Sequence, residues 1–153
     1  MTLISEQQLP SIVKRLANQI LETYPGLSNA VIVGLQPRGL FLSDRIVAAL
    51  HNEIPADQVK YGKLDITFYR DDVRTDLHLA KATDLPFSIE GKTVILIDDV
   101  LFTGRTIRAA LDALTELGRP RCVQLAVLVD RGGRELPIRA DYVGRNLPTR
   151  LAE

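Results

Sequence analysis

The sequence predicts an α/β fold, a mostly parallel central sheet flanked by helices, with a small cap at the C-terminal end. Three observations carry that prediction. Apolar runs rich in β-branched residues recur at Ala30–Leu35, Val94–Ile97 and Arg121–Val129, the composition of strands buried on both faces. The first two lead through a turn into a segment with helical apolar spacing, so the chain is built from strand–turn–helix units. The acidic, hydroxyl and guanidinium residues gather just after those runs, where open α/β sheets bind their ligands.

The chain has 153 residues, a length that suits one domain over 1–153. Its 46% hydrophobic and 25% charged fractions are ordinary for a globular protein with one core. Lys and Arg number 19, as do Asp and Glu, so the formal net charge is zero. No global field draws in nucleic acid, and any RNA binding has to use a local basic face. The single cysteine, Cys122, excludes an internal disulfide and reads as a small core residue in an apolar strand. His51 and His78 lack metal-ligand spacing. No signal peptide or membrane-length apolar run is present, so a cytoplasmic location is expected.

Taken in order, Ser5 to Tyr24 reads as an amphipathic helix with Ile12, Val13, Leu16, Ile20 and Leu21 as its stripe, stopped by Pro25-Gly26. The Ala30–Leu35 strand breaks at Gln36-Pro37-Arg38-Gly39, and a helix runs from Leu40 to about His51. Lys63 to Tyr69 alternates as a strand does. The polar stretch from Arg70 to about residue 83 reads as a loop long enough to be an active-site lid. Gly91-Lys92 turns into the central strand. Ile107, Ala110, Leu111, Leu114 and Leu117 mark the next helix, ended by Gly118 and Pro120. After Arg121–Val129 and Asp130-Arg131-Gly132-Gly133-Arg134, the tail is too punctuated by Pro and Gly for another βα unit, and reads as a cap over about 136–149.

The chemistry centres on Val94-Ile95-Leu96-Ile97-Asp98-Asp99-Val100-Leu101-Phe102-Thr103-Gly104-Arg105-Thr106. The two carboxylates stand where the apolar strand ends, ahead of a helix N-terminus with unpaired N–H groups and partial positive charge. Thr103, Gly104, Arg105 and Thr106 would wrap those donors, two hydroxyls and a guanidinium around a phosphate. Gly104, without a Cβ, lets the backbone come close. Asp98 and Asp99 suit sugar hydroxyls, or a Mg²⁺ that bridges to another phosphate. Phosphate pocket and acidic pair together describe a ribose 5-phosphate site. Neither G-x-x-x-x-G-K-[ST] nor G-x-G-x-x-G occurs. Arg38, on the other strand–turn–helix unit, could serve a second anion.

The thirteen-residue run resembles the phosphoribosyl-diphosphate (PRPP) motif of type I phosphoribosyltransferases. Its Asp-Asp-Val-Leu-aromatic-Thr-Gly-Arg-Thr form is similar to one branch, the pyrimidine-operon regulators that double as uracil phosphoribosyltransferases. Leu64-Asp65-Ile66-Thr67-Phe68-Tyr69-Arg70-Asp71-Asp72 and Asp130-Arg131-Gly132-Gly133-Arg134-Glu135-Leu136-Pro137-Ile138-Arg139-Ala140-Asp141-Tyr142 resemble the same branch, so the likeness spans nearly the whole chain.

The resemblance implies the type I phosphoribosyltransferase fold with a C-terminal hood. It implies the reaction of uracil with PRPP to give UMP and pyrophosphate, with Mg²⁺ held mainly by the substrate. On it, Asp98 and Asp99 hold the ribose hydroxyls, Thr103, Gly104, Arg105 and Thr106 hold the 5-phosphate, and Val100, Leu101 and Phe102 belong to the same PRPP- and UMP-binding stretch. Pro37, Arg38 and Gly39 form the pyrophosphate loop, with Arg70 reaching in from the lid. Pro37 stands where a Thr is common in the family. Tyr142 would lie against the base and the Val143 backbone would bond its edge, helped by the Asp130-Arg131 turn. Purine-using relatives often carry a third acid where this chain has Phe102, so no side-chain base is evident and a pyrimidine is the expected acceptor. The resemblance also implies UMP-dependent binding to pyrimidine-operon messenger RNA, with Lys14, Arg15, Arg131, Arg134, Arg139 and Arg145 as candidate contacts, and a homodimer or higher assembly. Two alternatives fit the same residues: an RNA-binding regulator with vestigial catalysis, and a phosphoribosyltransferase for another base without RNA binding.

Overall fold

The computed structural model describes residues 4–67 and 83–147. Its elements are α1 (Leu9–Thr23), β1 (Ala30–Gln36), α2 (Leu40–His51), β2 (Tyr61–Asp65), β3 (Thr93–Leu101), α3 (Arg105–Leu117), β4 (Cys122–Asp130) and β5 (Tyr142–Asn146), with two short 3₁₀ turns. The five strands form one sheet in the order β2-β1-β3-β4-β5, and every neighbouring pair is parallel.

Both faces of that sheet are covered, which explains the unbroken apolar runs. Side chains alternate along each strand. Ile32, Ile95, Ile97 and Ala126 face α1 and α2, meeting Ile12, Leu16, Ile20, Leu42, Ile46 and Leu50. Val31, Val33, Val94, Leu96, Leu125 and Val127 face α3, meeting Ile107, Ala110, Ala113 and Leu114. The result is a three-layer α/β/α core. α2 is also tied to β2 by polar contacts, for the Tyr61 hydroxyl donates to Asp44 Oδ1 at 2.6 Å and lies 2.6 Å from Ser43 Oγ.

Several boundaries differ from the sequence reading. α1 starts at Leu9, after a turn in which Ser5 N donates to Gln8 Oε1 and Gln8 N to Ser5 Oγ. β2 lies earlier than the predicted strand and stops at Asp65. There the Asp65 carboxylate turns forward to accept the Thr67 N–H and hydroxyl. Phe68, Tyr69, Arg70 and the predicted lid up to residue 82 fall outside the described residues. Cys122 is exposed rather than part of the core. It is the first residue of β4, at the open N-terminal end of the strand.

The largest correction is at the tail. It carries a fifth strand rather than only a cap: β5 pairs with β4 in register Ala126↔Tyr142 to Asp130↔Asn146. The crossover from β4 to β5 is irregular loop instead of helix, so the helical signal that marks a βα unit was absent. Gly144 permits the fit. A Cβ there would collide with the Leu128 carbonyl oxygen and sit 2.9 Å from Ile12 of α1.

Candidate active site

β1 and β3 run side by side, and their C-terminal ends open into a cavity of about 320 Å³. The β1–α2 turn, the end of β3, the loop to α3 and Arg131 after β4 all line it. This is the crevice that a parallel sheet offers beyond its carboxyl edge.

The β1 side is shaped by Gly39. Its N–H donates to Leu35 O at 2.6 Å, and a Cβ would collide with the Ile97 carbonyl oxygen. The turn thus folds tightly over the sheet and presents Pro37 and Arg38 to the cavity, after a cis Gln36–Pro37 bond. Arg38 is exposed and makes no hydrogen bond or ion pair with any described residue.

On β3, Asp98 and Asp99 lie inside the strand, not at its end as the sequence suggested, since β3 continues to Leu101 through its pairing with β4. Pairing with β1 stops at Ile97, so the acid pair stands free on that one side. Asp98 is 5% exposed, and its Oδ1 accepts the Asp99 N–H at 2.8 Å. Asp99 Oδ1 accepts the Val100 N–H at 2.7 Å. Among the described residues neither carboxylate is ion-paired with Lys or Arg, and both line the cavity. Burial and the neighbouring Asp99 carboxylate push the Asp98 carboxyl from an ordinary 3.8 up to about 7, against the pull of the Asp99 N–H and the Arg38 charge.

This shift has a sign that can be checked. The folded state holds the Asp98 proton where the unfolded chain has already lost it, so the stability Asp98 contributes is present below about pH 4 and is lost as pH rises through about 7. Thermal melting followed across that window is expected to fall more steeply for the unaltered protein than for Asp98→Asn. Parallel curves would overturn the assignment.

The loop to α3 turns on Gly104, whose φ of 96° is left-handed and unfavourable for any residue with a Cβ. Thr103 Oγ1 accepts the Arg105 N–H at 3.2 Å. Thr106 and Ile107, in the first turn of α3, line the cavity, and N–H groups there lack intrahelical acceptors. The Arg105 guanidinium departs from expectation. It is drawn outward to Glu135, with Nε 2.6 Å from Oε1, and is half exposed. Arg105 does not line the cavity.

The 131–141 loop is held by Arg134. Its guanidinium donates to Asp130 Oδ2 at 2.7 Å, Ile138 O at 2.6 Å and Phe102 O at 2.9 Å. Asp130 also accepts the Gly132 N–H, and Arg134 holds its carboxyl below the usual range despite partial burial. Arg134 is thus a pin joining this loop to the β3–α3 loop, not an outward cation for RNA, and both Asp130 oxygens are engaged. Arg134→Ala is expected to cost about 2 kcal/mol and to lower the melting temperature by about 4–8 °C, as read by calorimetric scanning.

Other expected residues are placed elsewhere. Tyr142 is buried in the core between the sheet and α1, its hydroxyl donating to Gln124 Oε1 at 2.6 Å. Neither it nor Val143 or Asp130 lines the cavity. The Arg15 guanidinium donates to Val143 O at 3.1 Å and Gly144 O at 2.5 Å, pinning α1 to β5, and Arg145 reaches Gln8, just ahead of α1, at 3.4 Å. Lys14 and Arg139 are exposed. The cavity also gathers Gln36, Ile66 and Thr67, which lie in the quoted motifs but were not named as site residues. They stand directly at or after the ends of β1 and β2.

Among the described residues no three His, Cys, Asp or Glu cluster to hold a metal by themselves. Two adjacent carboxylates suit a hard cation that brings most of its own oxygen ligands.

The fold brings an acidic pair and a helix N-terminus to one cavity beyond the carboxyl edge of a parallel sheet. Comparison with known proteins agrees. The phosphoribosyl transferase domain family matches residues 3–149. The Bifunctional protein PyrR of Chloroflexus aurantiacus is 52% identical over 153 residues, covering 99% of this chain and 84% of the relative. That of Geobacter sulfurreducens is 57% identical over 141 residues, covering 91% and 79%. A hypoxanthine phosphoribosyltransferase structure from Staphylococcus aureus superposes with a TM-score of 0.75 over 98% of this chain and 78% of that one, at 23% identity, a likeness of fold alone. The chain belongs to the phosphoribosyl transferase domain family and, within it, to the bifunctional PyrR group.

Proposed function

We propose that this chain transfers the phosphoribosyl group of PRPP to uracil, giving UMP and pyrophosphate, and that the UMP-loaded form binds the leader RNA of a pyrimidine operon. The observation that supports it best is the shared cavity, where an exposed guanidinium after one strand, two carboxylates on the next and a helix N-terminus stand together. Those are partners for a pyrophosphate, a diol and a phosphate.

In this reading Asp98 and Asp99 accept hydrogen bonds from the two ribose hydroxyls. Thr103, Gly104, Thr106 and the first-turn N–H groups of α3 hold the 5-phosphate. Val100, Leu101 and Phe102 form the wall between, and Pro37, Arg38 and Gly39 form the pyrophosphate side, with Arg70 a further candidate there. Arg105 contributes its backbone and, with Glu135, ties the loop. A Mg²⁺ bound with PRPP would neutralise the departing pyrophosphate. The protein supplies position and a fixed field. The base is expected to lie beside Phe102 and Arg131 rather than Tyr142, with the Val143 strand edge and Asp130 supporting that wall.

The RNA reading is favoured by one feature. Arg15 and Arg145 share the ridge where α1 meets the edge strand β5, Lys14 is exposed on the α2 side of α1, and Arg139 is exposed on the crossover loop. No described helix is long and apolar enough to cross a membrane. A cytoplasmic location and assembly into a dimer or larger homo-oligomer belong to the same proposal.

The test is direct. With PRPP and Mg²⁺, the protein should release pyrophosphate on addition of uracil and not hypoxanthine, and chelating the metal should stop it. A leader transcript should be retarded only with UMP present, with affinity falling as salt rises by a log–log slope of about −0.7 per phosphate contacted. Release with neither base would reject the enzyme reading.

A further inference from the structure

We propose that Arg131 sets the acidity of the entering base: its guanidinium, mounted on the Phe102 ring, holds uracil as the N1 anion, so the transfer needs no side-chain base. The inference rests on the uracil reading above and deepens it.

The sheet order places the two guanidinium groups of the described lining. β1 and β4 flank β3 on opposite sides. Arg38 follows β1, Arg131 follows β4, and the acid pair lies on β3 between them. A displacement at the sugar's anomeric carbon also has two sides, one for the group that leaves and one for the group that enters. If Arg38 meets the departing pyrophosphate, Arg131 meets the base.

The support for Arg131 is rigid. Its guanidinium carbon lies 4.2 Å from the Phe102 ring centroid. The Phe102 carbonyl is held by Arg134, and Gly133 presses on the ring so closely that a Cβ there would sit 2.6 Å from Cε1. A guanidinium stays charged at every working pH. Stacked on an aromatic face in a half-enclosed cavity, it is partly stripped of water and acts more strongly on a neighbouring charge.

Around it, the described lining holds no His, Lys, Glu or Tyr, and the sugar hydroxyls occupy the two carboxylates. Uracil's N1–H ionises well above neutral pH, so something must favour its anion. In the proposed step uracil gives its N1 proton to solvent water, with Arg131 balancing the charge spread over the ring carbonyls. The N1 lone pair then forms the bond to the anomeric carbon as the carbon–oxygen bond breaks, and that electron pair leaves with pyrophosphate.

The test compares the unaltered protein, Arg131→Gln and Arg131→Lys with uracil and with 5-fluorouracil, whose fluorine makes the ring more acidic. Arg131→Gln is expected to lower kcat/KM for uracil at neutral pH by about 10²-fold. The deficit should shrink as pH rises and uracil ionises unaided, and be clearly smaller for 5-fluorouracil. UMP, whose N1 carries no proton, should bind nearly as before, and Arg131→Lys should keep more activity than the Gln variant. Equal losses on both bases at every pH, with UMP affinity falling in step, would overturn the inference while leaving the uracil reading intact. If the unaltered protein turns over neither base, the uracil reading fails and takes this inference with it. Should Arg131→Gln not fold, the ratio of the two bases in Arg131→Lys against the unaltered protein decides.

Discussion

Asp98→Asn combined with Asp99→Asn is expected to reduce affinity for PRPP–Mg²⁺ by about 10²–10⁴-fold. Each carboxylate has lone pairs left after the single backbone N–H it accepts. Hydrogen bonds to a charged group are worth about 1.5–3 kcal/mol each, and every 1.4 kcal/mol is about tenfold in affinity. The amides keep the shape of the acids but turn half of each acceptor pair into a donor. Folding should not suffer, because a buried carboxyl beside another carboxylate is a strained place for charge, and Asp98→Asn removes that cost. Calorimetric titration with PRPP–Mg²⁺, with a melting curve as control, separates the two effects. Unchanged affinity in the double variant would reject the diol assignment.

Gly39→Ala is expected to destabilise the fold by about 3 kcal/mol and to lower the melting temperature by about 6–12 °C. The added methyl would meet the Ile97 carbonyl oxygen, and sit 2.7 Å from the Leu35 oxygen and 3.0 Å from the Leu35 nitrogen. All three are backbone atoms in the middle of the sheet and cannot turn aside. Relief requires lifting the β1–α2 turn, and Arg38 moves with it, so PRPP affinity should fall in the fraction that still folds. Gly104→Ala makes the useful contrast. Its Cβ would meet only ordinary contacts at 3.4–3.5 Å from Leu136 and Ile138, and the cost comes from the φ of 96° alone, about 1–2 kcal/mol. A larger loss at Gly104 than at Gly39 would contradict this account of the two turns.

Much of this was legible because buried parallel strands advertise themselves. Val94–Ile97 and Ala30–Leu35 are apolar on both faces, and α2 and α3 fall where their spacing put them. The two turns that line the cavity were legible as candidate sites because Gly, Thr and Arg directly follow such strands. What escaped depends on long-range partners. β5 is five residues long and exists by pairing with β4. With the strand unseen, its alternation was unavailable, and that alternation sends Tyr142 toward α1 and Val143 to the other face. Arg134 and Arg105 looked like cations awaiting a ligand. Their partners, Asp130 and Glu135, are close in sequence or loop, but only the folded crossover turns the guanidinium groups toward them.

The contact between α1 and β5 has a consequence for how the chain comes into being. The Arg15 bonds to Val143 and Gly144, and the closeness of Ile12 to Gly144, join α1 to β5 across more than a hundred residues. A nascent chain still on the ribosome before residue 142 therefore carries a helix whose apolar stripe lacks part of its cover. Premature stops upstream of Tyr142 should leave products prone to aggregation and rapid proteolysis, however complete their catalytic loops.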